Sequence, residues 1–265
     1  MNALNLVPQI PLWAVFLGTF ILVVLSILIG YRVGAYYRKR YGEREEGPIG
    51  SVVGATLGLL AFLLAFTFGL TANRYDSRKE ILLDEVNAIG TAFLRTDFLV
   101  EPYRTEIRGL FRDYVDLHTA WMKEPEKLQE LIAESEAIQD KIWSLSVEAV
   151  AKTPNQEITS TYIESLNEVI DMNTKRVTVA LKYRIPILIW YSLMFVTVLA
   201  LGSVGYQFGF AGGRSIFISV LLALIFSAVI YLIADLDRSL GGAIKVSQLP
   251  MIELQKKIDA AVPRQ

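Results

Sequence analysis

The chain contains four long apolar segments separated by polar stretches of very unequal length. The segments run from Ile10 to Tyr31, from Ile49 to Ala72, from Ile185 to Tyr206 and from Ile216 to Ala234. Each is close to the ~20 apolar residues that an α-helix needs to cross the hydrocarbon core of a bilayer. The pattern therefore predicts four transmembrane helices. The first segment is too long for a signal peptide and no basic residue precedes it, so we expect it to be retained.

A polar region with helical periodicity lies between the second and third apolar segments. Pro102, Pro125 and Pro154 each suit the first turn of a helix, where the missing N–H is not needed. Apolar residues recur every three or four positions, as Leu82 and Val86 illustrate. The region therefore resembles an antiparallel four-helix bundle. Its predicted helices cover 73–99, 102–122, 125–151 and 154–182.

The predicted fold is an all-α membrane protein with four transmembrane helices and a helical bundle inserted between the second and the third. A short amphipathic helix is also predicted near the end of the chain, beginning at Pro250, with Met251, Leu254 and Ile258 on its apolar side. The predicted domains are transmembrane helices 1 and 2 (1–72), the extramembrane bundle (73–183), transmembrane helices 3 and 4 (184–236) and a polar tail (237–265).

The composition supports a membrane protein and argues against several functional classes. Hydrophobic residues make up 53% of the chain, and the mean hydropathy is +0.40. The net charge of −1 gives no basic surface for nucleic acid. The absence of cysteine excludes disulfides and thiol chemistry. His118 is the only histidine, and we expect it to have a structural role. We therefore predict no catalytic residues, no metal site, no cofactor and no enzymatic activity.

Basic residues give one indication of the orientation in the membrane. No Lys or Arg precedes the first apolar segment, whereas five follow it, namely Arg32, Arg38, Lys39, Arg40 and Arg44. By the positive-inside rule this loop is cytoplasmic, as is the loop that carries Arg214, and the bundle lies outside the cytoplasm. Basic residues also flank the other ends of the apolar segments, which supports the opposite orientation.

Three blocks of the sequence resemble the bestrophin-like domain family of bacterial membrane proteins, a family of otherwise unknown function. The first block is AFTFGLTANRYDSRKEILLDEVNAIGTAFLR, from Ala65 to Arg95. The second is YRTEIRGLFRDYVDL, from Tyr103 to Leu117, and the third is ADLDRSLGGAIKVSQLPM, from Ala234 to Met251. The resemblance covers nearly the whole chain and implies a multi-pass protein of the bacterial inner membrane.

The family takes its name from bestrophins, which are pentameric anion channels with four spans and a large helical domain after the second span. The resemblance therefore implies a homo-oligomeric, bestrophin-like ion channel that has the lipid bilayer, further copies of itself and inorganic ions as partners. The bestrophin domain is cytoplasmic, which would reverse the orientation given by the first loop. The calcium-binding acidic cluster of bestrophins is not visible in this sequence.

Small residues form a stripe along one face of the second apolar segment, because successive helical residues are 100° apart. One interpretation is close packing against another helix, since small residues let backbones approach each other in lipid. The other is a pore wall, because small side chains leave room for ions. The stripe consists of Gly50, Gly54, Gly58, Ala61, Ala65 and Gly69.

Phe62 and Phe66 lie one turn apart beside this stripe. They are candidates for a pore constriction, because a hydrophobic ring can gate a channel by dewetting. The alternative is that both rings face lipid or a neighbouring helix. Polar residues continue approximately the same line along the helix and are candidates for a pore lining or vestibule. They are Asn73, Ser77, Asp84 and Thr91.

Charged residues gather where the second and fourth apolar segments end. Charges at a membrane interface are costly unless they are paired or hydrated. We expect a structural charge cluster there, with an ion-selecting ring as the alternative. The cluster comprises Arg74, Arg78, Glu85, Asp235 and Asp237.

Two other functions are compatible with this sequence. In the first, the protein is a non-conducting membrane scaffold or sensor whose bundle binds a partner. In the second, it is a secondary transporter. Neither broken helices nor an internal repeat is evident, and both would favour transport.

Overall fold

A computed structural model describes residues 10–42, 49–121, 124–153, 155–179, 183–213, 215–239 and 242–262. Some predictions rest on residues outside these ranges, so the structure does not bear on them. These residues are 1–9, Arg44, Pro154, Lys182 and Arg214.

Eight α-helices account for most of the described residues. Four of them are long and apolar enough to cross a membrane, namely α1, α2, α6 and α7. The prediction of an all-α membrane protein with four transmembrane helices is therefore confirmed. Helix α2 has 47 residues, which is roughly 70 Å at 1.5 Å per residue. The helices are α1 (Leu12–Tyr41), α2 (Ile49–Arg95), α3 (Tyr103–Ala120), α4 (Leu128–Lys152), α5 (Gln156–Val177), α6 (Ile187–Ala211), α7 (Ile216–Asp237) and α8 (Leu249–Ala261).

The chain divides into two compact units, and helix α2 contributes to both. We call the first the apolar unit; it consists of Met1–Arg74, Arg184–Arg238 and Gly242–Ile244. We call the second the polar unit; it consists of Tyr75–Tyr183, Ser239–Gly241 and Lys245–Gln265.

Close contact between glycines of α1 and backbone of α6 organises the apolar unit. A Cβ atom added to Gly30 would overlap the carbonyl of Gly202, and one added to Gly205 would overlap the carbonyl of Ile27. Gly34 and Gly209 lie one turn further along their helices and are equally close to the opposite backbone. These are two small-residue pairs at i and i+4, the spacing that lets membrane helices approach closely.

Buried threonines of α1 and α6 in the apolar unit donate their hydroxyl groups to carbonyls of their own helices. Thr19 donates to the carbonyl of Val15 at 2.8 Å, and Thr197 donates to that of Leu193 at 2.7 Å. In lipid an unsatisfied hydroxyl would be costly, because no water is available as a partner. The threonines are therefore compatible with the membrane without marking a polar pathway.

The polar unit has its own apolar core, to which the C-terminal helix contributes. Helix α3 contacts both α4 and α8. Met251, Leu254 and Ile258 of α8 are buried in the same core as Ile107 and Phe111 of α3. The predicted amphipathic tail helix is thus present, and its apolar side completes the polar unit.

We expect Gly30→Ala to lower the thermal stability of the detergent-solubilised protein. The new methyl group would overlap a backbone carbonyl of α6, which a rotamer change cannot relieve. Overpacking of this kind costs about 1–3 kcal/mol. Gly18→Ala is the matched control, because a Cβ at Gly18 of α1 meets no atom of the described part of the chain within 4 Å. The control should be neutral or slightly stabilising, since alanine favours helix. Equal melting temperatures for both variants would contradict the close α1–α6 contact.

Candidate functional site

The orientation of α2 within the apolar unit is set by its buried face. Leu60, Leu64 and Thr67 are buried against the rest of the unit. Phe62 and Phe66 lie roughly opposite them around the helix, at 100° per residue. Their side chains are 65% and 56% exposed, and their rings stack at 6.4 Å. The two phenylalanines therefore form an apolar surface that their own chain leaves uncovered.

The small-residue stripe is also largely uncovered by its own chain. Among the described residues, no atom lies within 4 Å of a Cβ built on Gly54, Gly58 or Gly69, and Gly50 has only the Gln207 amide, at 3.5 Å. Ala61 and Ala65 are exposed, as are Gly50, Gly54 and Gly58. The tight glycine packing of a single chain occurs between α1 and α6 instead. Packing of the stripe against another copy stays a prediction.

The predicted polar line is present on α2. Asn73 is exposed in the apolar unit. In the polar unit, Asp84 and Thr91 are exposed and Ser77 is half-buried. The Asp84 carboxylate lies 3.9 Å from the ammonium of Lys175, and both side chains are about half exposed. An exposed pair of this kind contributes little stability. Asp84 therefore remains accessible to solvent ions.

Two of the predicted interface charges form a pair in the apolar unit. The guanidinium of Arg74 lies 3.8 Å from the carboxylate of Asp237. The same carboxylate accepts the backbone N–H of Ile185 at 3.0 Å. Asp237 thus connects the end of α7 to α2 and to the residues that precede α6. Arg78 belongs to the polar unit, where its guanidinium lies 6.0 Å from the ring centre of Tyr75.

Asp235 shapes the turn that follows α7. Its carboxylate is buried and accepts the backbone N–H groups of Ala243, at 2.7 Å, and of Ile244, at 3.0 Å. A Cβ on Gly242 would collide with the same carboxylate. Asp235 therefore has a local structural role, and Gly242 is needed because the turn passes so close to it.

Glu85 was predicted to join the interface charges, but the structure places it in the interior of the polar unit. It lies on the buried face of α2 together with Leu82 and Ile89. Its carboxylate contacts Nδ1 of His118 at 3.1 Å and accepts a hydrogen bond from Arg176. Glu85 is buried because its position on α2, two turns after Arg78, also lies among buried apolar residues.

His118 is completely buried beside this ion pair. Its Nδ1 atom lies 3.0 Å from Nη1 of Arg176, and its ring stacks on Trp121 with centroids 4.3 Å apart. Burial lowers the pKa of His118 below its ordinary value, and this effect outweighs the opposing attraction of Glu85. The histidine is therefore neutral near pH 7.

The comparisons with known proteins agree with this architecture. The family model of the Bestrophin-like domain matches residues 17–251, which is most of the chain. The chain belongs to the bestrophin-like family. No curated protein matches this bestrophin-like chain.

Solved structures of bacterial bestrophin homologues share the fold. A single-residue variant of a homologue from Klebsiella pneumoniae superposes with a TM-score of 0.69 at 14% identity, covering 94% of this chain and 99% of the other. Another structure of that homologue gives a TM-score of 0.65 at 14% identity, with the same coverage. A further variant gives 0.63 at 15% identity and covers 95% of this chain and 96% of its own. At such identities the likeness shows the fold alone.

Sequence reasoning did not find two important features of this bestrophin-like chain. The α1–α6 contact had a detectable signal, since Gly30 and Gly34, like Gly205 and Gly209, are four residues apart at the ends of the first and third predicted spans and just beyond them. The contacts among Glu85, His118 and Arg176 gave no signal in the sequence, because these residues are far apart along the chain.

We expect a double-mutant cycle on Arg74→Ala and Asp237→Ala to give a coupling energy above that of exposed pairs. Exposed pairs contribute ~0–1 kcal/mol, and breaking a buried pair costs ~3–5 kcal/mol. The Arg74 and Asp237 side chains are 32% and 12% exposed, so the coupling should fall between these ranges. Unfolding of the four proteins in detergent measures it. The cycle cancels the loss of the hydrogen bond to Ile185, which both Asp237 variants share. A coupling near zero would show that the two charges do not interact.

Proposed function

We propose that the protein is a homo-oligomeric, bestrophin-like ion channel of the bacterial inner membrane, and that α2 lines its pathway. The observation that carries the proposal is the surface formed by Phe62 and Phe66, which lies opposite the buried face of α2. Residues as apolar as these can face lipid, but a line of polar positions continues from them along the same helix. Membership of the bestrophin-like family supports the choice of a channel.

In the proposed assembly, copies of the chain surround an axis and each contributes its Phe62 and Phe66 to a ring. Such a ring opposes permeation, because water and ions lose solvation partners there. The small residues beside the ring would allow neighbouring copies of α2 to approach each other. The selection of anions rests on the resemblance to bestrophins, since the exposed carboxylate of Asp84 by itself favours cations.

We expect Phe62→Ala combined with Phe66→Ala to raise conductance in planar bilayers, because the change widens and wets the constriction. The oligomeric mass should remain that of the wild type. Phe68→Ala is the matched control. It removes the same side chain from the same helix, but its position is 38% exposed and lies away from the polar line. The control should leave conductance unchanged.

The same recordings test the polar line. Asp84→Lys should shift the reversal potential toward that of the anion, because it replaces a negative charge in the proposed vestibule by a positive one. If neither the wild type nor the double alanine variant conducts ions after reconstitution, the proposal that the protein is a channel is refuted. A Phe68→Ala effect as large as that of the double variant would refute the assigned constriction.

A non-conducting scaffold or sensor is the second candidate, and one surface of the polar unit favours it. Trp143 and Val147 lie one turn apart on α4 and are 38% and 52% exposed. An exposed pair of this kind can anchor a partner protein. This function would be supported if the wild-type protein does not conduct and co-purifies with a partner protein that is lost in Trp143→Ala.

We further propose that the polar unit lies in the cytoplasm. The charges of the first loop predict the reverse, but basic residues flank both ends of the spans and membership of the family favours the bestrophin orientation. Lys39 and Ala137 are exposed positions in a chain without cysteine. An impermeant thiol reagent applied to intact cells should label Lys39→Cys and leave Ala137→Cys unlabelled until the cells are opened. The reverse pattern would restore the orientation predicted from the first loop.

A further inference from the structure

Glu85, His118 and Arg176 bring three helices of the polar unit together. Glu85 is on α2, His118 on α3 and Arg176 on α5. The Glu85 and His118 side chains are fully buried, and that of Arg176 is 9% exposed. A buried ion pair contributes little net stability compared with apolar packing.

Arg176 also holds the segment that leads into α8. Its Nη2 atom donates to the side-chain oxygen of Gln248 at 3.2 Å. Its guanidinium lies 4.6 Å from the ring centre of Trp121. One side chain thus connects the buried carboxylate with the residue at the N-terminus of α8.

His118 is placed where an added proton would disturb this arrangement. Nδ1 of His118 lies 3.0 Å from Nη1 of Arg176 and 3.1 Å from Glu85. Protonation would put two cations beside one carboxylate, and like charges at such a distance repel strongly where water is excluded. The second ring nitrogen, Nε2, has no hydrogen-bond partner among the described residues, so a proton there would be unsatisfied.

The groups that face His118 from the neighbouring helices determine which charges a proton on its ring would meet. Helix α2 contributes Glu85 and α5 contributes Arg176. On α3 itself, the Tyr114 ring lies 4.2 Å from the His118 ring, and burial raises the pKa of the Tyr114 hydroxyl well above its ordinary value, so it remains neutral. Helix α4 contributes the neutral amide of Gln139, which donates to Tyr114 at 3.0 Å.

We propose that Glu85, His118 and Arg176 form a proton-operated latch in the polar unit. When His118 takes up a proton, His118 replaces Arg176 as the partner of Glu85. Arg176 moves because it is the cation that already reaches the surface, whereas His118 and Glu85 are completely enclosed. Its hydrogen bond to Gln248 is then lost, which loosens residues 248–254 at the start of α8, while the buried Met251 and Ile258 keep the helix in the core.

The direction of the pH dependence follows from the burial of the neutral histidine. Its proton affinity is lower in the folded protein than in the unfolded chain. The latch is therefore closed above about pH 6.5, the ordinary pKa of histidine, and is weakened as the pH falls below that value. This proposal is independent of whether the protein conducts ions.

The single histidine makes the first part of the test specific. NMR of the histidine-labelled, detergent-solubilised protein should give one ring signal, with a titration midpoint below that of the unfolded chain. Hydrogen exchange of residues 248–254, at the start of α8, should be compared at pH 7.5 and 5.5, with labelling times corrected for the intrinsic rate. We expect a loss of protection at pH 5.5 in the wild type.

His118→Gln should retain protection at both pH values, because glutamine is uncharged. Gln248→Ala is a second variant in which the latch contact is absent while the histidine still titrates. It should show reduced protection of residues 248–254 already at pH 7.5, and it keeps the proposal testable if His118→Gln does not fold. Wild-type protection that does not change with pH would overturn the latch. So would a pH-dependent loss that persists in His118→Gln, or full protection at pH 7.5 in Gln248→Ala.

Discussion

The hydrocarbon core of the bilayer offers no water to hydrogen-bond the peptide backbone, and the rest of this structure depends on that constraint. Each spanning segment must satisfy its N–H and C=O groups internally, which makes it a helix. Hydrophobic burial does not drive such helices together in lipid, so close packing must. Gly30 and Gly34 of α1 and Gly205 and Gly209 of α6 meet this need, since each of the four lies against the opposite backbone. The hydroxyl groups of Thr19 and Thr197 follow the same rule by bonding to carbonyls one turn earlier.

The buried face of α2 has consequences for every functional residue on that helix. Because Leu60 and Leu64 pack into the apolar unit, Phe62 and Phe66 must point away from it. In the polar unit the buried face includes Glu85, and it leaves Asp84 and Thr91 exposed. One amphipathic helix therefore carries both structural side chains and the surface proposed for ions. Which side chain has which role is set by its angle around the helix axis.

Charges in this protein are arranged according to burial. Asp235 is buried, and its partners are two backbone N–H groups of a turn that needs Gly242. Asp237 and Arg74 are partly exposed and lie at a longer distance from each other. Glu85 is fully buried and has both a guanidinium and an imidazole beside it. Each of these three carboxylates has two polar partners, which offset the cost of removing its charge from water.

The sequence by itself determined the number of transmembrane helices, the helical character of the polar region and the family. Those features depend on hydrophobic length, on the 3.6-residue period and on local motifs, all of which are readable along the chain. It also predicted Phe62, Phe66 and the polar line of α2, because angular position on one helix follows from residue number. The tertiary structure alone decided which face of α2 is buried, and this removed Glu85 from the interface charges. It also decided that α8 joins the core of the polar unit and that His118 lies against Glu85 and Arg176. Contacts between residues so distant in sequence depend on how separate helices pack, and no local pattern encodes that packing.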